Sequence, residues 1–447
     1  MNLVETLRRR IDDRQAVLGV VGLGYVGITL SAALAAAGFH VVGVDRNAER
    51  VAMVGRGTLP IEGDEPELPG LVERVALSKM LVATTEVSPL AECDVVFIAV
   101  DTPVEGDRRP RFDALLGACR DVGKVMRRGA LVVVESTVSP GTTKNLVGPA
   151  LEEASGKVLG ADFLLGHSPE RLMPGKLLLN LRTLPRIVGG STPEATSVMA
   201  ALYRTIVSAP IEETDPTTAE LVKTGENTFR DVKIAFANEL ALICEALGTD
   251  FREVRRLIDG SGPLIGMLSA GGGVGGHCIP KDPWLLLEAM RDAQGFEPRV
   301  ITAARAVNER MPLHVAALLE SALSEADVRV AGARVAVLGY AFRENSGDTR
   351  NTPSEILVSH LRGRGAEVVI HDPWAAPYRG DVYGCMASAH AAVIMVAHDE
   401  YRTLDLARVS RTLAAPVLID ARHVVETGAA RRAGLVFRAL GRGPSTA

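Results

Sequence analysis

The sequence predicts an α/β chain in which two Rossmann-like, doubly wound parallel-sheet domains are joined by a central helical domain. Three observations predict this fold. Short β-rich runs alternate with helical stretches at the start, long runs of helix formers follow, and the alternation then returns. We accordingly place the first sheet domain, the central helical domain and the second sheet domain at residues 1–204, 205–320 and 321–447.

The composition is that of an ordinary globular chain with several domains. Its 447 residues exceed what one core usually holds, and 47% are hydrophobic and 23% charged. The net charge of −5 argues against a nucleic-acid partner, because no basic excess exists to neutralise phosphates. The five cysteines form no CxxC pair, which argues against a metal site and fits a reducing cytoplasm.

The first domain opens with a short amphipathic helix that places Leu7 and Ile11 on one side. Six strands are predicted after it: Val17–Val21, Val41–Val44, Leu81–Ala83, Val95–Val100, Leu131–Glu135 and Asp162–Gly166. The uncharged run from Ala16 to Val44 is long enough to span a bilayer. Its glycines and its strand-helix-strand pattern instead favour a buried βαβ unit and no membrane association.

A long helix is predicted in the middle domain, with Pro216 in its first turn and Gly248 at its C-terminal stop. The last third contains a predicted helix at Thr352–Leu361. Four strands are predicted around it: Val335–Leu338, Val368–Ile370, Val393–Val396 and Val417–Ile419. Their order repeats that of the first domain, which indicates a second sheet adapted to a different ligand.

A glycine turn follows the first predicted strand and opens a helix. Its residues are Gly22, Leu23, Gly24, Tyr25, Val26 and Gly27. Glycines at these positions allow the tight turn, the approach of a pyrophosphate and the close packing of helix on strand. Asp45 ends the next strand, where a carboxylate bonds ribose hydroxyls and repels a 2′-phosphate. We therefore predict NAD as the cofactor and place Arg46, beside Asp45, in its site.

A glycine-rich loop carries the candidate nucleophile. It reads Gly275, Gly276, His277, Cys278, Ile279, Pro280, Lys281, Asp282 and Pro283. A lone cysteine is usually a small buried hydrophobe, but Cys278 lies among polar residues whose cations favour a thiolate. The other cysteines lie outside such surroundings, and Cys93, Cys119 and Cys244 are expected to be packing residues.

Lys223 and Asn227 lie four residues apart in the predicted long helix and therefore share a face. Together they can donate to one developing oxyanion, although on this spacing alone a solvated helix face explains the pair better. Further candidates follow predicted strands. These are Thr102, Thr137, the acid Glu170 with Arg171, and the arginines Arg343 and Arg350 for a diphosphate. Glu170 and Asp282 are candidate proton carriers.

Six motifs in order, GLGYVG, ESTVSPGTT, SPERLMPG, KTGEN, GVGGHCIPKDP and GDTRNTP, resemble the UDP-glucose/GDP-mannose dehydrogenase family from about Val17 to Arg422. SPER and GGHC are similar to the branch that oxidises UDP-N-acetylmannosamine or UDP-N-acetylglucosamine. Lys281 before Asp282 is more like the UDP-glucose and GDP-mannose branches. Asp101, Arg343 and the segment Glu344–Gly347 depart from the family pattern.

The resemblance implies a four-electron oxidation of a sugar C6 hydroxyl by two NAD, through a thiohemiacetal and a thioester on Cys278. Lys223 and Asn227 would stabilise oxyanions, Thr137 and Asp282 would position water, and Glu170 would assist the cysteine. The remaining implied contacts are Thr102 and Thr137 to the cofactor, and Glu170, Arg171, Lys223, Asn227, Gly275, Arg343 and Arg350 to the UDP-sugar. The family also implies a homodimer formed through the central helical domain.

Two other functions share part of this pattern. A two-electron dehydrogenase of the 3-hydroxyacid type also joins a Rossmann domain to helices carrying Lys and Asn one turn apart. The third domain and the Cys278 loop argue against it. An NAD-binding sensor without activity is the non-enzymatic alternative, and the intact set of Cys278, Lys223, Asn227 and Asp282 argues against that.

Overall fold

The computed structural model describes residues 3–63, 65–260, 262, 266–291 and 297–443. The strands, β1 to β13, are Val17–Val21, His40–Val44, Leu81–Thr84, Val95–Ile98, Leu131–Val134, Leu164–His167, Arg186–Gly190, Ile211–Thr214, Arg334–Leu338, Glu367–His371, Ala391–Ile394, Val417–Asp420 and Val436–Ala439. The helices, α1 to α17, are Leu3–Asp12, Tyr25–Ala36, Ala48–Gly55, Leu68–Leu77, Asp113–Val125, Gly148–Ser155, Leu177–Thr183, Pro193–Tyr203, Pro216–Leu247, Phe251–Asp259, Asp282–Glu288, Arg299–Glu325, Pro353–Gly363, Val382–Met386, Asp399–Arg402, Leu406–Thr412 and Thr427–Arg432.

The first sheet has the strand order β3-β2-β1-β4-β5-β6-β7-β8 and confirms the predicted doubly wound α/β fold. Its pairs are parallel except β6 with β7, which is antiparallel and corrects the expectation of a purely parallel sheet. The sequence analysis missed β7 and β8. β7 begins with a buried arginine, Arg186, and ends with two glycines, and β8 is a polar edge strand. β8 also lies beyond residue 204, where the first domain was predicted to end.

Apolar side chains cover both faces of the first sheet. Along β4, Val95 and Phe97 belong to one buried cluster, whereas Val96 and Ile98 belong to another. This alternation follows from the two-residue period of a strand, and it leaves the strand ends as the open parts of the sheet. The uncharged run 16–44 forms β1, α2 and β2 as predicted. Within the described residues, no helix has both the length and the apolarity needed to cross a bilayer.

The second sheet has the order β10-β9-β11-β12-β13 and is entirely parallel. Its first turn repeats that of the first sheet, because the N–H of Gly22 donates to Val44 and that of Gly339 donates to His371, both at 2.8 Å. An acid follows the second strand of each sheet, but Asp372 in the second sheet has different hydrogen bonds from Asp45 in the first. Asp372 is fully buried and accepts five hydrogen bonds, listed here by donor: Tyr340 N, Ala341 N, Trp374 N, Ala375 N and His398 Nε2.

The middle of the chain is helical, as predicted. α9 covers Pro216–Leu247, matching its predicted ends, and Gly248 follows it with a φ of +72°. The described residues form two compact units, one drawn from residues 1–226 and 284–295 and the other from residues 227–283 and 296–447.

Candidate active site

The glycine turn of the first unit has the geometry of a pyrophosphate cradle. Gly22 has a φ of +94°, and a Cβ on Gly27 would lie 1.8 Å from the Gly22 carbonyl oxygen, so neither position accepts a side chain. A Cβ on Gly24 would meet no atom within 4 Å. The backbone is therefore open to a ligand at Gly24, directly before the N-terminus of α2. The residues present fit a dinucleotide.

Asp45 is tied to this turn. Its Oδ2 accepts the N–H of Leu23 at 2.7 Å and its Oδ1 accepts that of Asn47 at 2.8 Å, which leaves carboxylate lone pairs for ribose hydroxyls. Nη1 of the Arg50 guanidinium lies 3.6 Å from Oδ2 of Asp45, a contact that the sequence analysis did not predict. Arg46, which it did place here, is exposed.

The loops that follow β4 and β5 are joined by two hydrogen bonds. The hydroxyl of Thr102 donates to the carbonyl of Thr137 at 2.6 Å, and the hydroxyl of Ser136 donates to that of Val100 at 2.7 Å. Two predicted cofactor residues are thus brought together at the carboxyl ends of neighbouring parallel strands. Asp101, the atypical residue in the first loop, is exposed.

A buried ion pair underlies these loops and was not predicted. Glu135 in the ESTV motif contacts the guanidinium of Arg186 and the hydroxyl of Tyr203. Arg186 also donates to the Ser168 hydroxyl at 2.9 Å, so it links the ends of β5 and β6. Burial raises the pKa of Glu135 despite the opposing charge of Arg186. The available sequence signal was an arginine directly before the short apolar run of β7.

Lys223 and Glu170 form a buried pair within the first unit. The Lys223 ammonium donates to the Glu170 carbonyl at 2.8 Å and to its Oε1 at 3.2 Å. The other carboxylate oxygen accepts the N–H of Leu172. Burial acts to raise the pKa of Glu170, but the Lys223 charge and the Leu172 hydrogen bond outweigh it, so the pKa is below its usual value. Glu170 is therefore a carboxylate at neutral pH.

Arg171, a predicted substrate residue, contacts protein groups in the same unit. Its guanidinium lies 3.1 Å from Glu226 and donates to the Pro185 carbonyl at 2.7 Å. This places the SPER segment beside the first turns of α9.

The second unit contains the candidate nucleophile. The carbonyl of Cys278 accepts the N–H of Lys281 at 3.0 Å and that of Asp282 at 2.8 Å, which forms one turn that leads into α11. The amide of Asn227 donates to Oδ2 of Asp282 at 2.6 Å. Cys278 is partly exposed. Cys93, Cys119 and Cys244 are buried, as predicted, and burial raises the pKa of the Cys93 and Cys119 thiols to about 12.

The glycine loop before Cys278 packs against the segment 342–353 of the same unit. The N–H of Gly276 donates to the Arg350 carbonyl at 3.0 Å, and the Asn351 amide donates to the Gly276 carbonyl at 3.2 Å. A Cβ on Gly275 would lie 2.6 Å from the Cβ of Phe342. Gly275 thus allows close packing, a role that the sequence analysis did not foresee.

The two predicted diphosphate arginines are both exposed. The guanidinium of Arg350 pairs with Asp348 through two hydrogen bonds, of 2.9 Å from Nε and 2.6 Å from Nη2. Arg343 precedes the atypical segment Glu344–Gly347. Within that segment the N–H of Asn345 donates to Nδ1 of His398 at 2.9 Å, so this histidine holds the loop.

Profiles of one family match most of the chain. The NAD binding domain, the central domain and the UDP binding domain of the UDP-glucose/GDP-mannose dehydrogenase family match residues 16–207, 217–310 and 336–427.

Individual relatives align along nearly the whole chain. A UDP-N-acetyl-D-mannosamine dehydrogenase of Pyrococcus horikoshii is 37% identical over 95% of this chain and 99% of its own. A UDP-glucose 6-dehydrogenase of Haloferax volcanii is 35% identical over 95% of this chain and 99% of its own. The crystal structure of an NDP-N-acetyl-D-galactosaminuronic acid dehydrogenase from Methanosarcina mazei is 36% identical, with a TM-score of 0.88 over 99% of this chain and 98% of that one.

Proposed function

Since this chain belongs to the UDP-glucose/GDP-mannose dehydrogenase family, we propose that it is an NAD-dependent 6-dehydrogenase whose substrate is UDP-N-acetyl-D-mannosamine. The observation that carries the proposal is the Cys278 turn, in which Asp282 is bonded both to the cysteine backbone and to the amide of Asn227. A nucleophile, a carboxylate and an amide donor are thereby held in one local structure.

The proposed reaction converts the C6 alcohol to a carboxylate. The C6 carbon loses two hydrides and gains one oxygen atom from water, with release of three protons. NAD, when bound, accepts one hydride in each oxidation. Between the two oxidations the Cys278 sulfur bonds to the aldehyde carbon as a thiohemiacetal, because this makes an aldehyde into a hydride donor. Loss of the second hydride gives a thioester, and water then breaks the C–S bond.

The Lys223–Glu170 pair is proposed to serve the oxyanion and the proton transfers. The Lys223 ammonium is held within 3.2 Å of Glu170, which orients its positive charge in a buried setting where such a charge acts strongly. Glu170, as a carboxylate, can accept a proton from the cysteine thiol or from water. The pair therefore combines the oxyanion donor and the base that the family resemblance implies.

The Asn227–Asp282 pair is proposed to orient water, together with Thr137. The hydrogen bond from Asn227 leaves the second oxygen of Asp282 to interact with other groups, and a carboxylate oxygen accepts the proton of an attacking water. We further propose that Gly24, Tyr25, Val26, Asp45, Arg46 and Thr102 contact NAD. Arg171, Gly275, Arg343 and Arg350 are proposed to contact the UDP-sugar.

The test is the stoichiometry of NADH with a panel of nucleotide sugars. We expect two NADH for each UDP-N-acetyl-D-mannosamine consumed, and Cys278→Ser should bind NAD but form no acid. A ratio of one would support a two-electron dehydrogenase. Faster turnover of UDP-N-acetylglucosamine or UDP-glucose would overturn the proposed substrate. NAD binding without turnover of any nucleotide sugar would favour the inactive NAD-binding sensor.

We also propose that the chain forms a homodimer through α9. An apolar stripe on this helix is exposed: Phe229 by 67%, Phe236 by 61%, Ile243 by 47% and Leu247 by 76%. The first three are seven residues apart and therefore lie on one face. Exposed apolar surface of this size is typical of an interface. Phe229→Ser/Phe236→Ser should halve the mass measured by light scattering, and an unchanged mass would reject this interface.

A further inference from the structure

A chain of buried polar side chains connects α9 to α12 within the second unit. Asp231 accepts from Arg305 Nη1 at 2.9 Å and from the Asn308 amide at 2.8 Å. The Asn238 amide donates in turn to Oδ1 of Asn308 at 2.9 Å. Each of these four side chains is at most 3% exposed.

The chain ends on the loop that carries the nucleophile. The N–H of Gly271 donates to Oδ1 of Asn238 at 2.9 Å, and Gly271 begins the glycine-rich stretch that precedes Cys278. From Gly271 to Gly276 this stretch has little space for side chains. A Cβ on Gly273, where φ is +125°, would lie 2.9 Å from Pro353, and a Cβ on Gly276 would lie 2.8 Å from the Phe342 ring.

Stability alone gives no reason for such a network. A buried ionic or polar cluster can usually be replaced by packed apolar residues at little cost, and its best-attested use is to specify one arrangement. Asn238 is the member that specifies the loop. Its amide nitrogen donates to Asn308, so its oxygen necessarily faces the Gly271 N–H. A slide of α9 along α12, or of the loop along either helix, would break at least one bond.

We infer that Asn238 and Asn308 are positioning residues that set the place of the Cys278 loop relative to α9. α9 also carries Asn227, the partner of Asp282. The network and the Asn227–Asp282 bond therefore tie both ends of the segment 271–282 to the same helix. The expected effect on catalysis rests on the proposed function, but the positioning of the Cys278 loop by Asn238 does not.

The experiment compares Asn238→Leu with Asn238→Asp in the full chain. Leucine has a similar volume but leaves the Gly271 N–H without an acceptor, whereas aspartate keeps an acceptor there. Arg310→Gln, at an exposed position of α12, is the control. Hydrogen exchange at the Gly271 amide, alkylation of Cys278 by iodoacetamide and steady-state kinetics are measured for each, at a temperature well below unfolding.

We expect Asn238→Leu to speed exchange at Gly271 and lower kcat, each by at least about tenfold, since small misplacements of reacting groups are costly. The KM for NAD should stay within about twofold, the alkylation rate should change, and Asn238→Asp should recover part of both losses. Unchanged exchange in Asn238→Leu would overturn the inference, as would loss of NAD binding and kcat together. If the wild type shows no turnover, the proposed function fails, but hydrogen exchange at Gly271 still tests whether Asn238 holds the loop.

Discussion

The side-chain amide of Asn227 donates to Oδ2 of Asp282 at 2.6 Å, and the backbone N–H of Asp282 donates to the carbonyl of Cys278 at 2.8 Å. A residue near the middle of a 32-residue helix is thus connected through one carboxylate to the loop of the candidate nucleophile. Because the amide nitrogen is the donor, the Asp282 carboxylate takes part in this bond as the acceptor.

Asp282→Asn is expected to keep the contact with Asn227 but lose the ability to take a proton from water. We expect kcat to fall by about 100-fold, because proton transfer contributes this much in many enzymes. A thioester should then accumulate on Cys278, and intact-protein mass spectrometry during turnover would detect the added sugar nucleotide. A normal kcat, or a low kcat without adduct, would contradict the assigned role.

Lys223→Met is expected to destabilise the first unit. It leaves the Glu170 carboxylate buried without its cation, and breaking a buried pair in this way costs about 3–5 kcal/mol. The double variant Lys223→Met/Glu170→Gln removes both charges and should regain most of the loss. Urea unfolding of the two variants measures this coupling. If the double variant is as unstable as the single one, packing rather than charge is responsible.

The stability of the protein should fall in mild acid because of His167. This side chain is fully buried. Burial, with the charges of Arg186 and Lys223, lowers its pKa to about 3. The unfolded chain takes up a proton near pH 6.5 that the folded chain refuses, so stability is lost as pH falls from about 6.5 to about 3.

His167 should remove up to about 2 kcal/mol of unfolding free energy between pH 6.5 and 5, since one proton is worth about 1.4 kcal/mol per pH unit. Urea unfolding at pH 7.5, 6.5 and 5.0 measures the loss. His167→Leu should reduce the dependence on pH, and identical slopes for the variant and the wild type would contradict the prediction.

His398→Ala should weaken binding of the UDP-sugar while sparing NAD. The Asn345 N–H donates to Nδ1 of His398, so Nε2 carries the proton that it shares with Asp372 at 3.1 Å. Loss of this link removes one of the hydrogen bonds that hold the segment between Arg343 and Arg350, while Asn345 keeps its two bonds to Asp399. We expect the KM for the UDP-sugar to rise by about tenfold, the value of roughly one hydrogen bond, with the KM for NAD unchanged. Equal changes in both would indicate general unfolding.

Sequence reasoning located the residues whose chemistry is local. The glycine turn, Asp45, the ends of α9 and the Cys278 loop are each recognised from near neighbours in the chain. Arg50 and Arg186 were missed, because their partners are specified by tertiary packing and neither stands in a motif. The glycines before Cys278 were predicted only as part of a glycine-rich loop, whereas their neighbours show that they allow close packing. The doubly wound parallel character of the first sheet followed from the pattern, but the strands β7 and β8 and the antiparallel pairing of β7 did not.

The five donors around Asp372 occupy both oxygens of its carboxylate. Burial opposes ionisation of this acid, but the bond from His398 and the surrounding backbone N–H groups dominate and lower its pKa. Its counterpart Asp45 has two backbone donors and can still meet a ribose. With five donors already bonded, the Asp372 oxygens have little capacity left to accept a hydrogen bond from a ligand. A nucleotide bound at this end of the second sheet therefore has to be recognised by other groups than the acid that serves the first sheet.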